Sequence, residues 1–286
     1  GGAVDAAISM GGNAYGGAVY TTGPMTLINC TIANNSVRGF DEGYAAGGGV
    51  YGPAHLVNCT VEHNSVWGDP ISSATGDPVC GGGTAFASLE QCVVRNNSVS
   101  GPNTTGHSTL RGHAEGGGIY AGSASGCTIE GNVVVAQSRD DLIDTDLGLG
   151  GGAARAALSD CVVRHNRVQP DGFNLHGPDM GGAGLSGGSA LRCEIYGNVV
   201  EPSFGGGMSS GGGARSAIVR LCSIHDNVAD WGGGARSATG TVRQCTIFRN
   251  QARLGGGGAS ECLSLDSCIV WDNTPNEIGG AVPTAV

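Results

Sequence analysis

Residues 47–66 have the sequence GGGVYGPAHLVNCTVEHNSV, and this stretch decides the fold of the chain. Around Cys59 it places Leu56 three residues before, Val61 two residues after and Asn64 five residues after. The same pattern, L-x-x-C-x-[IV]-x-x-N-x-[VA] with Ala or Val at some first positions, occurs nine times, and a glycine cluster follows each copy. The nine cysteines are Cys30, Cys59, Cys92, Cys127, Cys161, Cys193, Cys222, Cys245 and Cys268, and the nine asparagines are Asn35, Asn64, Asn97, Asn132, Asn166, Asn198, Asn227, Asn250 and Asn273. A repeat of this regularity predicts a solenoid in which each copy forms one coil.

The spacing of the copies predicts short strands rather than helices. Successive cysteines are 23 to 35 residues apart, and 23 residues are too few for two packed helices with their turns. The segment after each cysteine alternates with the period of a strand and is rich in Thr, Val and Ile. We therefore predict an all-β, single-stranded parallel β-helix of about nine to ten rungs, with the rungs about 4.8 Å apart. Connections between parallel strands are generally right-handed, so we predict a right-handed β-helix.

The repeat runs through nearly the whole chain, so we expect residues 1–286 to form a single domain. Parts of the pattern stand close to both ends, as Gly16-Gly17-Ala18 and as Gly279-Gly280. The chain thus begins and ends inside a repeat, which is expected of a fragment of a longer chain. Uncapped coils expose strand edges, and end-to-end self-association is therefore expected as well.

The composition narrows the classes of function. The hydrophobic fraction of 40% is too high for a disordered chain that has 55 glycines in 286 residues. The formal net charge is −10 and all 14 basic residues are arginines, which argues against nucleic acid and anionic membrane surfaces as partners. No run of about 18 apolar residues is present, so no transmembrane helix is predicted.

The periodic positions have structural interpretations. The cysteines share strand parity with the inward Ile and Val, so we predict that they are reduced thiols buried in the core. Neighbouring Cβ atoms would be about 4.8 Å apart, which is outside the usual disulfide range. We expect the asparagines to lie at a bend, where stacked amides bond to each other and to free backbone groups.

The third residue after each cysteine points outward and changes character along the chain. Four successive coils carry alternating charges, in the order Glu62, Arg95, Glu130 and Arg164. The next four carry the rings of Tyr196, His225, Phe248 and Trp271. Two interpretations of this aromatic strip remain open. It could stack on sugars or dock a partner, or it could be a packing ladder below a terminal cap.

Coils longer than 23 residues must contain loops, and these are predicted at one corner of six successive rungs. They span residues 38–46, 67–80, 100–115, 135–149, 169–180 and 201–210. Insertions on one side of a solenoid mark its contact face, which we assign to loops 100–115, 135–149 and 169–180.

These loops contain the residues that could carry chemistry. Four carboxylates, those of Asp140, Asp141, Asp144 and Asp146, could hold Ca²⁺, and the alternative is a solvated acidic loop. Adjacent loops could bring together groups for acid–base work on a polysaccharide, namely Arg111, His113, Asp144 and His176.

The repeat resembles that of the polymorphic outer membrane proteins of bacteria, which alternate a GGA-type motif with F-x-x-N. The resemblance covers nearly the whole chain, with Ile or Val in place of Phe, as in Val61–Asn64. The chain is also similar to secreted right-handed β-helix proteins of bacteria, and the segment from Cys268 to Pro275 looks like their terminal rung. The resemblance implies a β-helix that is secreted or displayed on a bacterial surface, as in autotransporter passengers and adhesins. It implies no catalytic residue.

These observations give one leading hypothesis and two alternatives. The leading hypothesis is a structural or adhesive β-helix whose loops contact a glycan or a host or neighbouring cell surface. The first alternative is a polysaccharide lyase or hydrolase with its cleft under the same loops. The second is a non-catalytic glycan-binding module that uses the strip Tyr196, His225, Phe248 and Trp271. Ca²⁺ is the one cofactor that the loop carboxylates suggest.

Overall fold

The structure, a computed structural model, describes residues 3–5, 13–39, 44–68, 79–101, 113–136, 147–171, 179–202, 208–236 and 240–280. The predicted fold class is confirmed, because these residues form an all-β, right-handed parallel β-helix. Each coil passes through four faces in a fixed order. In one coil, Val50–Tyr51 lies on face 1, Ala54–Val57 on face 2, Thr60–Glu62 on face 3, and both Ser65–Trp67 and Val79–Cys80 on face 4.

Faces 1, 2 and 3 are parallel sheets in which every strand pairs with the equivalent strand of the next coil. Face 1 consists of Val19–Tyr20, Val50–Tyr51, Thr84–Ala85, Ile119–Tyr120, Ala153–Ala154, Leu185–Ser186, Ala214–Arg215, Ala235–Arg236, Ala259–Ser260 and Ile278–Gly279. Face 2 consists of Met25–Ile28, Ala54–Val57, Ser88–Glu90, Ser123–Ser125, Ala157–Ser159, Ser189–Leu191, Ile218–Arg220, Thr241–Arg243 and Ser264–Asp266. Face 3 consists of Thr31–Ala33, Thr60–Glu62, Val93–Arg95, Thr128–Glu130, Val162–Arg164, Glu194–Tyr196, Ser223–His225, Thr246–Phe248 and Ile269–Trp271.

Face 4 is divided into two halves where the loops leave the coil. Its first half consists of Ala3–Asp5, Ser36–Arg38, Ser65–Trp67, Ser98–Ser100, Val133–Ala136, Arg167–Pro170 and Val199–Val200. Its second half consists of Ala14–Tyr15, Ala45–Ala46, Val79–Cys80, His113–Glu115, Leu147–Leu149, Asp179–Gly181 and Ser209–Ser210. In the two later coils, Val228–Trp231 and Gln251–Gly255 join both halves in single strands. The six predicted loops are therefore attached within one face, and a similar break separates Asp5 from Ala14.

The core consists of repeating inward positions. Leu, Ala or Val from face 2, the cysteines, and Ile or Val from face 3 pack into one cluster with inward residues of face 1. Val, Ala and Met180 from face 4 form most of a second cluster. All eleven cysteines are free thiols. Backbone amides bond to the sulfurs along the ladder, as Cys59 N–H does to Cys92 Sγ at 3.3 Å. The sulfur ladder thus satisfies backbone donors at the bend between faces 2 and 3.

The asparagine ladder occupies the bend between faces 3 and 4. Asn132 Oδ1 accepts hydrogen bonds from both the backbone N–H and the side-chain amide of Asn97, at 3.0 and 2.9 Å. Asn132 Nδ2 in turn donates to Val94 O and to Asn166 Oδ1 at 3.0 Å. This arrangement repeats from coil to coil and ends at Glu277, whose Oε2 accepts from Asn273 Nδ2 at 2.6 Å. The buried amides are therefore satisfied along the axis.

Each ladder position is preceded by a backbone bend in which one residue has the left-handed conformation. The residue before each repeat cysteine and before each repeat asparagine has a positive φ, such as 52° at Asn58 and 54° at His63. Asn, Asp, Gly and His are common there because they adopt this conformation at low cost. The identity of these residues varies, whereas their backbone conformation does not.

The glycine cluster is required by close backbone approaches. Gly116 has a φ of +68°, and a Cβ atom on Gly117 would lie 2.4 Å from Gly151 O. A Cβ atom on Gly118 would lie 3.0 Å from Cγ of Asn132. The turn between faces 4 and 1 thus passes directly over the asparagine ladder, which explains why both features recur together.

We predict that Asn132→Ala lowers the free energy of unfolding by about 2–4 kcal/mol, because it leaves amide and carbonyl groups of neighbouring coils unpaired in the core. The matched control is Asn96→Gly. Asn96 is exposed and has a φ of 53°, which glycine adopts without strain. Guanidinium denaturation followed by circular dichroism would compare the variants. Equal midpoints for both variants would contradict the role of the ladder.

Candidate functional site

Most of the residues predicted to carry chemistry fall in parts of the loops that the structure does not describe. Arg111, Asp140, Asp141, Asp144, Asp146 and His176 lie outside the described residues. His113 begins a strand on face 4, and its Nδ1 lies 3.7 Å from Glu115 Oε1. Within the described ranges, no group of three or more His, Cys, Asp or Glu side chains is placed to hold a metal ion. The described part of the chain also contains no helix with the length and apolarity that a membrane crossing requires.

The aromatic strip on face 3 is a stack of parallel rings. The ring centroids of Tyr196 and His225 are 5.0 Å apart, those of His225 and Phe248 4.7 Å, and those of Phe248 and Trp271 5.2 Å. The interplanar angles are 5°, 18° and 4°. Each ring face therefore covers the next, and the edges point outward. A sugar stacks on a ring face, so this geometry favours a packing role for the strip.

The charged residues before this strip pair in the same direction along the axis. Arg95 Nη2 lies 2.7 Å from Glu62 Oε2, and Arg164 Nη2 lies 2.6 Å from Glu130 Oε2. Arg164 also donates from Nη1 to Tyr196 Oη at 3.0 Å, which joins the charged and aromatic parts. Along the outer surface of face 3, ion pairs in the earlier coils are thus followed by stacked rings in the later coils.

A groove that the sequence analysis did not identify runs between face 4 and face 1. The glycine turn between these faces is concave outward, so their outward side chains converge. Tyr15 on face 4 and Tyr51 on face 1 have ring centroids 4.4 Å apart. Several groove residues are buried although their side chains point away from the interior of the coil, namely Ala46, Cys80, Ala85, Ala154, Ser210 and Ser260. An aromatic residue recurs after the glycine cluster, as in GGAVY at 16–20 and GGGIY at 116–120, and this recurrence is the feature of the sequence that indicates the groove.

The N-terminal part of the groove is aromatic. Its rings are Tyr15, Tyr20, Tyr44, Tyr51, Phe86 and Tyr120. Phe86 lies at 75° to Tyr51 and at 89° to Tyr120, with centroids 5.4 and 5.6 Å away. Tyr20 is 55% exposed and Phe86 is 42% exposed. Burial raises the pKa of Tyr120 to about 12, so this hydroxyl stays protonated at neutral pH.

The middle of the groove is polar. Tyr44 Oη and Cys80 Sγ are hydrogen-bonded at 2.7 Å, and burial raises the pKa of Cys80 to about 12. Glu115 is buried, and Arg155 contacts both of its oxygens at 2.8 Å. Burial acts to raise the pKa of Glu115, but His113 and Arg155 outweigh it, and the net pKa is lowered. Glu115 is therefore an ionised counterion for Arg155 rather than a proton donor at neutral pH.

The C-terminal part of the groove contains arginines. A cavity of about 240 Å³ lies between Glu115, Arg155, Ser186 and Arg215. In the next coil, Arg236 donates to Glu261 Oε2 at 2.7 Å. Aromatic, polar and cationic parts thus follow one another along the solenoid axis, in an arrangement suited to an extended ligand that has both apolar faces and polar groups.

A match to a family model supports the fold. Residues 6–134 match the family model for a right-handed β-helix region. No curated protein matches the chain. Among solved structures, the chain is similar to a TibC-catalysed, hyper-glycosylated TibA fragment, with 17% sequence identity and a TM-score of 0.16. That similarity covers 93% of this chain and 99% of the other.

The buried Glu115–Arg155 pair should make stability depend on pH. The folded pKa of Glu115 is below its unfolded value, which is about 4.3. Its ionised form therefore adds stability above that value, and the contribution is lost as the pH falls through the folded pKa. We predict that Glu115→Gln lowers the free energy of unfolding by about 1–3 kcal/mol at pH 7, and that the difference from wild type disappears at acidic pH.

Thermal unfolding at several pH values from about 3 to about 7 would measure this difference, because this range includes the ordinary pKa of a glutamate side chain. Glu90→Gln is the matched control, because the Glu90 side chain is 54% exposed and its one ion-pair neighbour among the described residues is His55, at 3.8 Å. A deficit for Glu115→Gln that persists unchanged at the lowest pH would show that the carboxylate charge is not the source of the effect.

Proposed function

We propose that this β-helix is secreted or displayed on a cell surface, where it acts in adhesion by binding a glycan in the groove between faces 4 and 1. The exposed rings inside the groove are the observation that carries this proposal. Tyr20 on face 1 and Phe86, directly after a face 1 strand, are exposed, and both contact the groove ring of Tyr51. Aromatic rings next to polar groups suit sugars, which have apolar ring faces and hydroxyl edges.

The orientation of Phe86 distinguishes the groove from the strip on face 3. Both of its described aromatic neighbours meet it nearly at right angles, at 75° and 89°. In the strip, Phe248 lies between two nearly parallel rings, at 18° and 4°. Phe86 therefore has no parallel aromatic neighbour to cover it, as a sugar-stacking residue requires.

The position of the loops supports this proposal, because they are attached next to the groove. They are attached within face 4, whose second half forms one wall of the groove. The predicted contact loops 100–115, 135–149 and 169–180 thus begin on the first half of face 4 and end on the groove wall. A glycan in the groove would meet the loops as well as the rings.

We predict that Phe86→Ala weakens binding to the recognised glycan roughly threefold to tenfold, because one stacking contact is lost. A glycan array would identify the ligand, and calorimetry would measure the affinity. Phe248→Ala is the matched control, since it removes a ring from the face 3 stack and should lower stability while affinity is kept. Loss of affinity in Phe248→Ala alone would instead assign binding to the strip Tyr196, His225, Phe248 and Trp271.

A polysaccharide-active enzyme is a second candidate, which the contact between His113 and Glu115 favours. His113 lies at the end of loop 100–115, on the groove wall, and is partly exposed. The His113 imidazole could accept a proton from a bound sugar at this position. Arg111, Asp144 and His176 would join it from adjacent loops, with Ca²⁺ bound by the carboxylates of loop 135–149.

If the groove is catalytic, we predict turnover of an acidic or neutral polysaccharide that falls at least a hundredfold in His113→Ala, because a general base supplies about that factor. Product release from a polysaccharide panel would be measured with calcium and with chelator. His55→Ala is the control, because His55 is partly exposed on face 2, away from the groove. The absence of product across the panel, with the chain folded, would leave adhesion as the proposal.

A further inference from the structure

Arg215 differs from the other arginines around the groove because no described carboxylate lies within hydrogen-bond or ion-pair distance of it, and Asp179 acts on it only at longer range. Arg155, Arg236 and Arg253 pair with Glu115, Glu261 and Asp230. Arg215 makes no hydrogen bond or ion pair with any described residue, and its Nη1 atom is shielded from solvent. A guanidinium nitrogen that is shielded from solvent and has no hydrogen-bond partner is costly, and such atoms call for an explanation.

The backbone makes room for this side chain. Gly181 lies opposite Arg215 across the groove, and a Cβ atom there would be 2.2 Å from Arg215 Cδ. The guanidinium stem therefore lies over a position where any side chain would displace it. Ser186 and Arg236 flank Arg215 in the ladder of face 1, so neither neighbouring coil supplies a carboxylate at this register position.

The cavity beside Arg215 is cationic. Its charged lining residues are Glu115, Arg155 and Arg215. Arg155 contacts both oxygens of Glu115, so these two charges neutralise each other and one positive charge is left. Burial lowers the pKa of Arg215, Asp179 opposes this change, and Arg236 adds to it. An anion bound in the cavity would stabilise this guanidinium through charge-assisted hydrogen bonds.

The cavity is continuous with the aromatic part of the groove. Arg155 lines the cavity and also lies 5.8 Å from the centre of the Tyr120 ring, and Tyr120 contacts Phe86. Face 1 pairs coil by coil from Tyr20 to Arg215. Six coil steps separate these residues, which corresponds to about 29 Å at the usual strand spacing. One chain of sugars could therefore contact the rings and the cavity together.

We propose that the cavity at Arg215 selects an acidic sugar, whose carboxylate or sulfate binds the Arg215 guanidinium while neighbouring sugars contact the aromatic part of the groove. This inference rests on the proposed glycan-binding function and specifies the class of glycan. Carboxylate and sulfate share the required chemistry, because both offer several acceptor oxygens to a planar donor.

Three probes of equal chain length test the proposal by calorimetry at constant ionic strength. They are oligogalacturonate, the same oligosaccharide with its carboxylates reduced to alcohols, and a sulfated oligogalactose. Wild type should bind at least one charged chain roughly tenfold to a hundredfold more tightly than the neutral chain. Arg215→Gln should abolish that preference and still bind the neutral chain. Arg220→Gln is the control, because Arg220 is exposed on face 2.

The outcomes separate this inference from the function on which it rests. Equal binding of charged and neutral chains by wild type, or an unchanged preference in Arg215→Gln, would overturn the role of Arg215 and leave glycan binding intact. Failure of all three chains to bind would count against both. Thermal unfolding gives an independent readout, since removing an unpaired charge should leave the midpoint equal or higher. A clearly lower midpoint for Arg215→Gln would show that the guanidinium is a packing element, and would also overturn the proposal.

Discussion

The contact between the asparagine ladder and the glycine turn is the constraint on which the rest of the coil depends. At this point one asparagine side chain fills the space between the bend of faces 3 and 4 and the turn of faces 4 and 1. The ladder side chain must donate to one coil and accept from another, which an amide does and a carboxylate or a methyl group does not. A row of aspartates would also place like charges about 4.8 Å apart. Asn and Gly therefore recur together, and both are needed for the coil to close.

The periodic part of this structure could be predicted from the sequence because each ladder repeats a single residue type. Cys, Asn and Gly recur at fixed positions, and stacking converts that recurrence into a fold. The groove could not be predicted in this way, because it depends on the direction of the glycine bend. Outward side chains diverge around a convex bend and converge around a concave one. Glu115 and Arg155 are 40 residues apart, and only the concave bend brings them into contact.

The positions of rings could be predicted more readily than their orientations. The strip residues Tyr196, His225, Phe248 and Trp271 share one register position, so their adjacency follows from the repeat. Whether their faces are free depends on side-chain rotation, which the repeat does not specify. In the groove, rings come from two different faces and from irregular positions such as Phe86, so they cannot all stack along one axis. Concave geometry thus leaves ring surface available that a straight ladder covers.

The pairing of the other arginines shows that Arg215 is an exception to the charge pattern of this chain. At least nine described arginines pair with a carboxylate, in most cases from an adjacent coil, as Arg95 does with Glu62. The chain has 24 acidic and 14 basic residues, so carboxylates are in excess. Among the described residues, Arg215 therefore lacks a direct ion-pair partner because of its register position and not because counterions are scarce. In a solenoid, a substitution on an adjacent coil would supply a carboxylate within reach, as Glu62 does for Arg95. A guanidinium that stays unpaired in such a scaffold, beside a cavity and over a glycine, is explained most simply by an anion that comes from outside the chain.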